Sequence, residues 1–346
     1  LFIFSGWVVD NLQRKHVLVV CAMVEGLVLL GLAASLGTGE LNRVIVFGLL
    51  FLNGMSRAFY MPAVESILPG IVSRQDLSRA VAITSTSWTA GSAAGPFVAG
   101  FLIAWLDTDI YLLLASLCFL AGALMLLLPK ITVRRPTGRG LEQLLDGIRY
   151  VYRNPLVLPS ISLDMFIVLV GSVVALLPVY AIDVLDVGPE ALGLMRAMPA
   201  LGAVVAGVML TRLPVMRRTG SLLNASLAIF AVSILIFAFS SSLWLSLFAL
   251  LVYGASDMVS VNIRSTIIQL ATPDELRGRV NSVNSLFIAT SNDLGDFRAG
   301  TVAAFIGPVA TVLVGGVMAA GVVVGAYLLF PTLRRLDRIT DARGDQ

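Results

Sequence analysis

The sequence predicts an all-α polytopic membrane protein. Hydrophobic residues fill 58% of the 346 positions and charged residues only 13%, against about half and about a quarter in soluble domains. Mean hydropathy is +0.92. Apolar stretches of about 20 residues, long enough to cross a bilayer as helices, recur between short polar gaps.

Taken in order, these stretches place helices at 17–36, 44–66, 80–105, 109–129, 156–182, 190–212, 221–240, 243–268, 279–306 and 309–331. The opening Leu1-Phe-Ile-Phe run has no basic flank before it and no small-residue cleavage site after it, so it is not read as a signal peptide. The longest polar interval, Pro129 to Pro155, divides four helices from six. Inside it Leu141, Leu144, Leu145, Ile148 and Tyr152 recur at helical spacing among charges, which predicts an amphipathic helix at the membrane surface. Pro273-Asp274-Glu275 reads as a helix start, with acidic groups at the positive helix end. Trp105, Tyr111 and Trp244 fall at helix ends, where aromatic side chains anchor to the membrane interface. Cys21 and Cys118 lie within predicted helices and read as packing thiols, not as a disulfide.

The net charge of +3 does not point to nucleic acid, because the cations sort by side. Of the 24 Lys and Arg, only Arg43 falls in a gap on one face, and Arg57, Arg196, Arg264 and Arg298 fall inside helices. All the others occupy the opposite gaps and the tail, from Arg14 and Lys15 through Arg149, Arg153 and Arg279 to Arg343. Basic loops stay in the cytosol, so the first gap, the central interval and the C-terminal tail are expected there. A weak repeat at an offset of 200 pairs Gly54 with Gly254, Ser56 with Ser256, Arg79 with Arg279, Gly95 with Gly295 and Gly100 with Gly300. That is the pattern of two parallel repeats.

Gly6-Trp-Val-Val-Asp10-Asn-Leu-Gln-Arg14-Lys15 is a short charged turn. It resembles the loop between helices 2 and 3 of major facilitator superfamily transporters, whose consensus is roughly G-x-L-x-D-R-x-G-R-K. On this resemblance the chain reads as a transporter lacking helix 1 and most of helix 2. Gly91-Ser-Ala-Ala-Gly95-Pro96-Phe-Val-Ala-Gly100 resembles the G-x-x-x-G-P-x-x-x-G motif of exporters in the superfamily. Its glycines allow close helix approach and its proline permits a bend. The runs from Arg57 to Ala80 and from Arg264 to Val280 look like turns of the branch that includes the enterobactin exporter and macrolide efflux pumps. The resemblance implies two six-helix halves. The N-terminal half is 1–129, a cytosolic linker with an amphipathic helix is 130–155, the C-terminal half is 156–331, and a cytosolic tail is 332–346. It also implies a latch of Gly6, Asp10, Arg14 and Lys15, with Asp10 at the start of the helix that begins near 279 and Arg14 paired to an acid such as Glu65. Asn11 and Gln13 depart from the consensus Arg and Gly, and losing that Gly makes a left-handed turn harder.

Charges inside membrane helices are costly and mark working sites. Arg57, Asp164, Asp257, Arg264, Asp293, Asp296 and Arg298 are the candidates for substrate contact or coupling. Asp293 and Asp296, three apart, share a helix face as a proton-sharing pair or as partners of Arg298 or Arg264. Arg57 is open to two readings, an anionic substrate or a carboxylate of its own half. With one His, no metal-ligand cluster and no phosphate-cradling G-x-x-x-x-G-K-[ST], neither an enzyme nor a cofactor is expected. The expected function is a proton-coupled secondary exporter of a small amphipathic molecule, drug-like or siderophore-like, monomeric in the bacterial inner membrane. A lysophospholipid or lipid flippase and a transporter-like sensor stay open as alternatives.

Overall fold

The computed structural model describes residues 13–37, 42–71, 77–127, 140–212, 218–334 and 336–337. No strand occurs among them. In chain order the helices are α1 (Arg14–Gly37), α2 (Arg43–Ile71), α3 (Leu77–Trp105), α4 (Thr108–Leu127), α5 (Gly140–Arg153), α6 (Val157–Gly171), α7 (Pro189–Arg212), α8 (Thr219–Phe239), α9 (Leu243–Ala271), α10 (Asp274–Ile306), α11 (Pro308–Leu329) and α12 (Pro331–Arg334). Among the described residues seven segments are long and apolar enough to cross a membrane: Lys15–Gly37, Thr108–Leu127, Val157–Val184, Pro189–Thr211, Thr219–Phe239, Leu243–Ala271 and Pro308–Leu329. Of the other long helices, α10 is markedly more polar, whereas α2 and α3 are on average as apolar as several of the seven. Arg57 and Glu65 interrupt α2, Ser and Thr crowd the first half of α3, and Asp293, Asp296 and Arg298 interrupt α10.

The chain groups into two compact units, Leu1–Gly91 with Phe101–Gly140, and Ser92–Gly100 with Leu141–Gln346. In the first, α1 packs between α2 and α4. The Ser116 hydroxyl donates to the Gly26 carbonyl at 2.7 Å, joining α4 to α1, and Lys15 Nζ donates to the last carbonyl of α4, Leu127 O, at 2.8 Å. The buried cluster is small, around Val17, Leu18, Cys21 and Ala63. The outward surface is apolar: Phe47 is 70% exposed, Phe51 66% and Met125 67%. That inside-out pattern is what hydrocarbon as a solvent selects.

The second unit has the larger core, drawn from α6, α7, α8, α9 and α11. Aromatic pairs lock it, Tyr180 on Phe237 and Phe230 on Tyr253, with ring centroids 4.6 and 4.4 Å apart. Between the apolar groups sit small buried serines that return their hydroxyls to their own helix. Ser160 donates to Leu156 O and Ser233 to Phe230 O, each at 2.7 Å. Helices α7 and α9 cross with backbones touching. A Cβ at Gly202 would fall on the Leu251 carbonyl, and one at Gly254 on the Pro199 carbonyl.

Nine of the ten predicted helices form as continuous rods near their expected bounds, and the stretch 156–182 does not. Helix α6 stops at Gly171, Ser172 is extended (φ −64°, ψ 119°), and the chain continues through a 3₁₀ turn (Val174–Leu176), one α-helical turn (Leu177–Val179) and a π turn (Tyr180–Val184). Hydropathy cannot see this break, because every segment on either side of it is apolar. At the basic ends of the helices, the tail caps α8: Thr219 N donates to Asp337 O at 3.1 Å and Gly220 N to Leu336 O at 3.0 Å. Those N–H groups would otherwise be unsatisfied.

Candidate functional site

Charge inside the second unit concentrates on three helices. Asp164 lies seven residues into α6, and Arg264 lies seven residues before the end of α9, about 10 Å from each helix end at 1.5 Å per residue. The two meet in an ion pair between Arg264 Nη1 and Asp164 Oδ1. Both are deeply buried, with 3% of Arg264 and 7% of Asp164 exposed. The Arg264 side chain leans back along α9, as helical side chains do. Its Nε donates to Ser260 Oγ at 3.1 Å and to Ser260 O at 3.3 Å. Nη2, equally buried, has no hydrogen-bond partner among the described residues. Asp257 stands on the same helix face, three residues beyond Ser260, partly buried and with no hydrogen bond among the described residues. One guanidinium thus serves a neighbourhood of two carboxylates.

Arg298 on α10 behaves differently. Its Nε donates to Leu169 O at 2.9 Å and its Nη2 to Val170 O at 2.8 Å. These are carbonyls at the C-terminal end of α6, orphaned by the break. A cation at a helix C-terminus also meets the negative end of the dipole. Ser172 at the break donates its hydroxyl to Asp296. Gly295 permits the approach, since a Cβ there would stand 3.0 Å from Val168 O. Arg298 and Asp296 therefore hold the interruption in α6 rather than each other, and Arg264 is taken by Asp164. Asp293 is exposed on α10 and has no hydrogen-bond or ion-pair partner among the described residues.

The exporter motif contributes one close contact within the second unit. A Cβ at Gly100 would lie 2.7 Å from Gly193 Cα and 2.7 Å from Pro189 O, and one at Gly193 would lie 2.8 Å from Pro96 O. Gly91 and Gly95 meet nothing within 4 Å among the described residues. The approach is made by Gly100 with Gly193, a partner the motif does not name.

In the first unit Arg57 is exposed, and Asn53 Nδ2 donates to the Glu25 carboxylate one turn earlier on the face between α1 and α2. The Ser56 hydroxyl donates to Cys21 O at 3.1 Å, so Cys21 is a buried packing thiol, and Cys118 is an exposed one. A cavity of about 490 Å³ opens beside them, lined by Val17, Val20, Cys21, Met55, Ser56 and Phe59 among others. Gly6 and Asp10 lie outside the described residues, as do the side chains of Arg14 and Glu65. No group of three or more metal-ligating side chains occurs among the described residues.

Residues 1–344 match the family described as transmembrane secretion effector. The chain belongs to that family of major facilitator transporters. The enterobactin exporter EntS of Citrobacter koseri is 26% identical over 340 residues, covering 96% of this chain and 80% of that protein. EntS of Escherichia coli O157:H7 matches to the same extent. Solved structures agree on the fold. A transporter of the POT family in complex with 5-aminolevulinic acid superposes with a TM-score of 0.73 at 11% identity over 96% of this chain and 85% of that one. A bacterial homologue of the human lysosomal transporter Spinster gives 0.70 at 16% identity over 96% and 86%. A D-xylose–proton symporter gives 0.70 at 15% identity over 99% and 86%. Members of the family are multi-pass membrane transporters of small molecules and not enzymes. The all-α polytopic class and the superfamily read from Gly6–Lys15 and Gly91–Gly100 are those observed.

Proposed function

We propose that the chain is a secondary exporter in the bacterial inner membrane. It works by alternating access of two halves, 1–129 and 156–331, with the linker 130–155 and the tail in the cytosol. Its driving ion is the proton, exchanged for a small amphipathic molecule of siderophore or drug type. Kinship with enterobactin exporters supports the direction and the substrate class. The observation that carries the coupling is the uneven polar site on α6 and α9, where Arg264 has one ion-pair partner, one orphan nitrogen and a second carboxylate on its own helix face.

In water-poor surroundings two carboxylates beside one guanidinium hold an excess negative charge, and each such charge needs a partner or a proton. Asp164 keeps the permanent pair. Asp257 takes the proton in one state; in the other it turns to Arg264 Nη2, the donor left free beyond Ser260. Asp293, exposed on the neighbouring α10, passes protons or meets the substrate. Gly6, Asp10, Arg14, Lys15 and Glu65 bias which way the cavity opens.

The test is efflux from loaded cells or proteoliposomes under an imposed proton gradient. Asp257→Asn and Asp293→Asn each abolish gradient-driven efflux, and Asp257→Asn retains gradient-independent exchange. Full gradient-driven efflux in both variants would defeat the coupling assignment and favour a protein that senses without turnover.

A further inference from the structure

Helix α5, 14 residues long and rich in charge, is too short to span, and the coupling site does not use it. Its inward face is docked. Val151 is 2% exposed and packs with Val157, Ile161, Ile268, Val280 and Val283. The Tyr150 hydroxyl donates to the Ala271 carbonyl at the very end of α9. Asn154 accepts from Leu156 N at 2.9 Å and from Val157 N at 3.0 Å, capping α6. Asp146 pairs with Arg279 of α10 at 2.7 Å. These bonds fix α5 at the level where two membrane spans end, the height of lipid headgroups.

The opposite face is uncovered among the described residues. Leu145 is 55% exposed and Tyr152 65% exposed. With the exposed Arg149 and Arg153 they stand at i, i+4, i+7 and i+8, a single stripe. The apolar residues that looked like one amphipathic face in the sequence are thus split, Ile148 turning inward with Val151 and Leu145 and Tyr152 outward. Neither arginine has an ion-pair partner among the described residues, while Asp146 on the flank is held by Arg279.

We propose that this stripe is a binding surface for anionic phospholipid headgroups of the cytosolic leaflet. A guanidinium matches a phosphate with two parallel hydrogen bonds. A tyrosine ring prefers the interface, and a leucine beside it reaches the top of the acyl chains. The surface potential of anionic lipid draws cations to that depth. Because the inner face of the same helix grips the ends of α6, α9 and α10, lipid bound outside steadies the helices that carry Asp164, Arg264 and Asp293. The inference rests on the membrane-transporter reading but not on its coupling ion or substrate.

The experiment uses the full chain in nanodiscs of phosphatidylcholine alone or mixed with phosphatidylglycerol, read by thermal unfolding, so no transport is needed. Phosphatidylglycerol is expected to raise the unfolding midpoint of the wild type, and added salt to shrink the rise. Arg149→Gln with Arg153→Gln loses at least half of it, and Arg43→Gln, a cation at the far end of α2, keeps it whole. Glu142→Gln, which removes an acid three residues before Leu145 in helical register, enlarges it. A wild type indifferent to phosphatidylglycerol, or a double variant with an undiminished rise, overturns the proposal. A chain that exports nothing yet keeps the shift counts against the exporter reading alone.

Discussion

Two arginines inside helices, Arg264 and Arg298, sit on consecutive helices of one unit and are satisfied in opposite ways. Arg298 gives its donors to two backbone carbonyls that a helix break had stranded, 2.9 and 2.8 Å away. Arg264 has a carboxylate on one nitrogen, a serine on another, and nothing on the third. A completed polar network rigidifies, and an incomplete one in a low-dielectric interior is costly unless a second state completes it. On the function proposed above, the first arrangement is scaffold and the second the working part. Both are arginines inside long helices, and nothing in their residue type separates them.

Breaking the Arg264 pair is expected to have the largest effect. Asp164→Asn leaves a buried guanidinium without its counter-charge, which costs about 3–5 kcal/mol where such pairs have been cut. The expected outcome is loss of folded protein on extraction, measured by size-exclusion yield and thermal unfolding. Asp164→Leu combined with Arg264→Met removes both charges and recovers most of the stability while transport stays lost. If the single variant is as stable as wild type, the pair is not a buried charge pair. Next comes Arg298→Met, which strands the Leu169 and Val170 carbonyls at about 1–3 kcal/mol per buried group. It should lower the unfolding midpoint and speed hydrogen exchange around 169–176, since the break in α6 loses its clamp. Exchange that is unchanged there would show that Tyr180 packing alone holds the interruption.

What the sequence reveals about these regions follows from which physics is local. Helix number, bounds and the amphipathic α5 follow from hydropathy and periodicity, which any window of residues carries. The break at Gly171–Ser172 does not, because the group that takes its stranded Val170 carbonyl, Arg298 Nη2, sits 128 residues away. The candidate charges were legible one by one as costly residues, but their pairing was not. Spacing along α10 favoured Asp293 and Asp296 as a unit, whereas Asp296 receives Ser172 and Asp293 stays exposed. Gly193, Gly202 and Ser260 carried no signal at all. Small residues are common in membrane helices, and only the crossing helix shows which of them is needed.

The smallest structural effect, and the sharpest contrast, is expected at Asp257. It has no hydrogen bond to lose among the described residues, and Asn preserves its shape, so Asp257→Asn should move stability by no more than about 0.5 kcal/mol, the range of substitutions that break no named interaction. Asp164→Asn and Asp257→Asn make the same chemical change near one arginine, the first on α6 across from it and the second on its own helix α9. One should unfold the protein and the other should leave it folded but uncoupled. Thermal unfolding of the two variants side by side in the same nanodiscs decides the matter. Equal destabilisation would mean that Asp257 is a second structural partner of Arg264, and the division of roles between the two carboxylates would be lost.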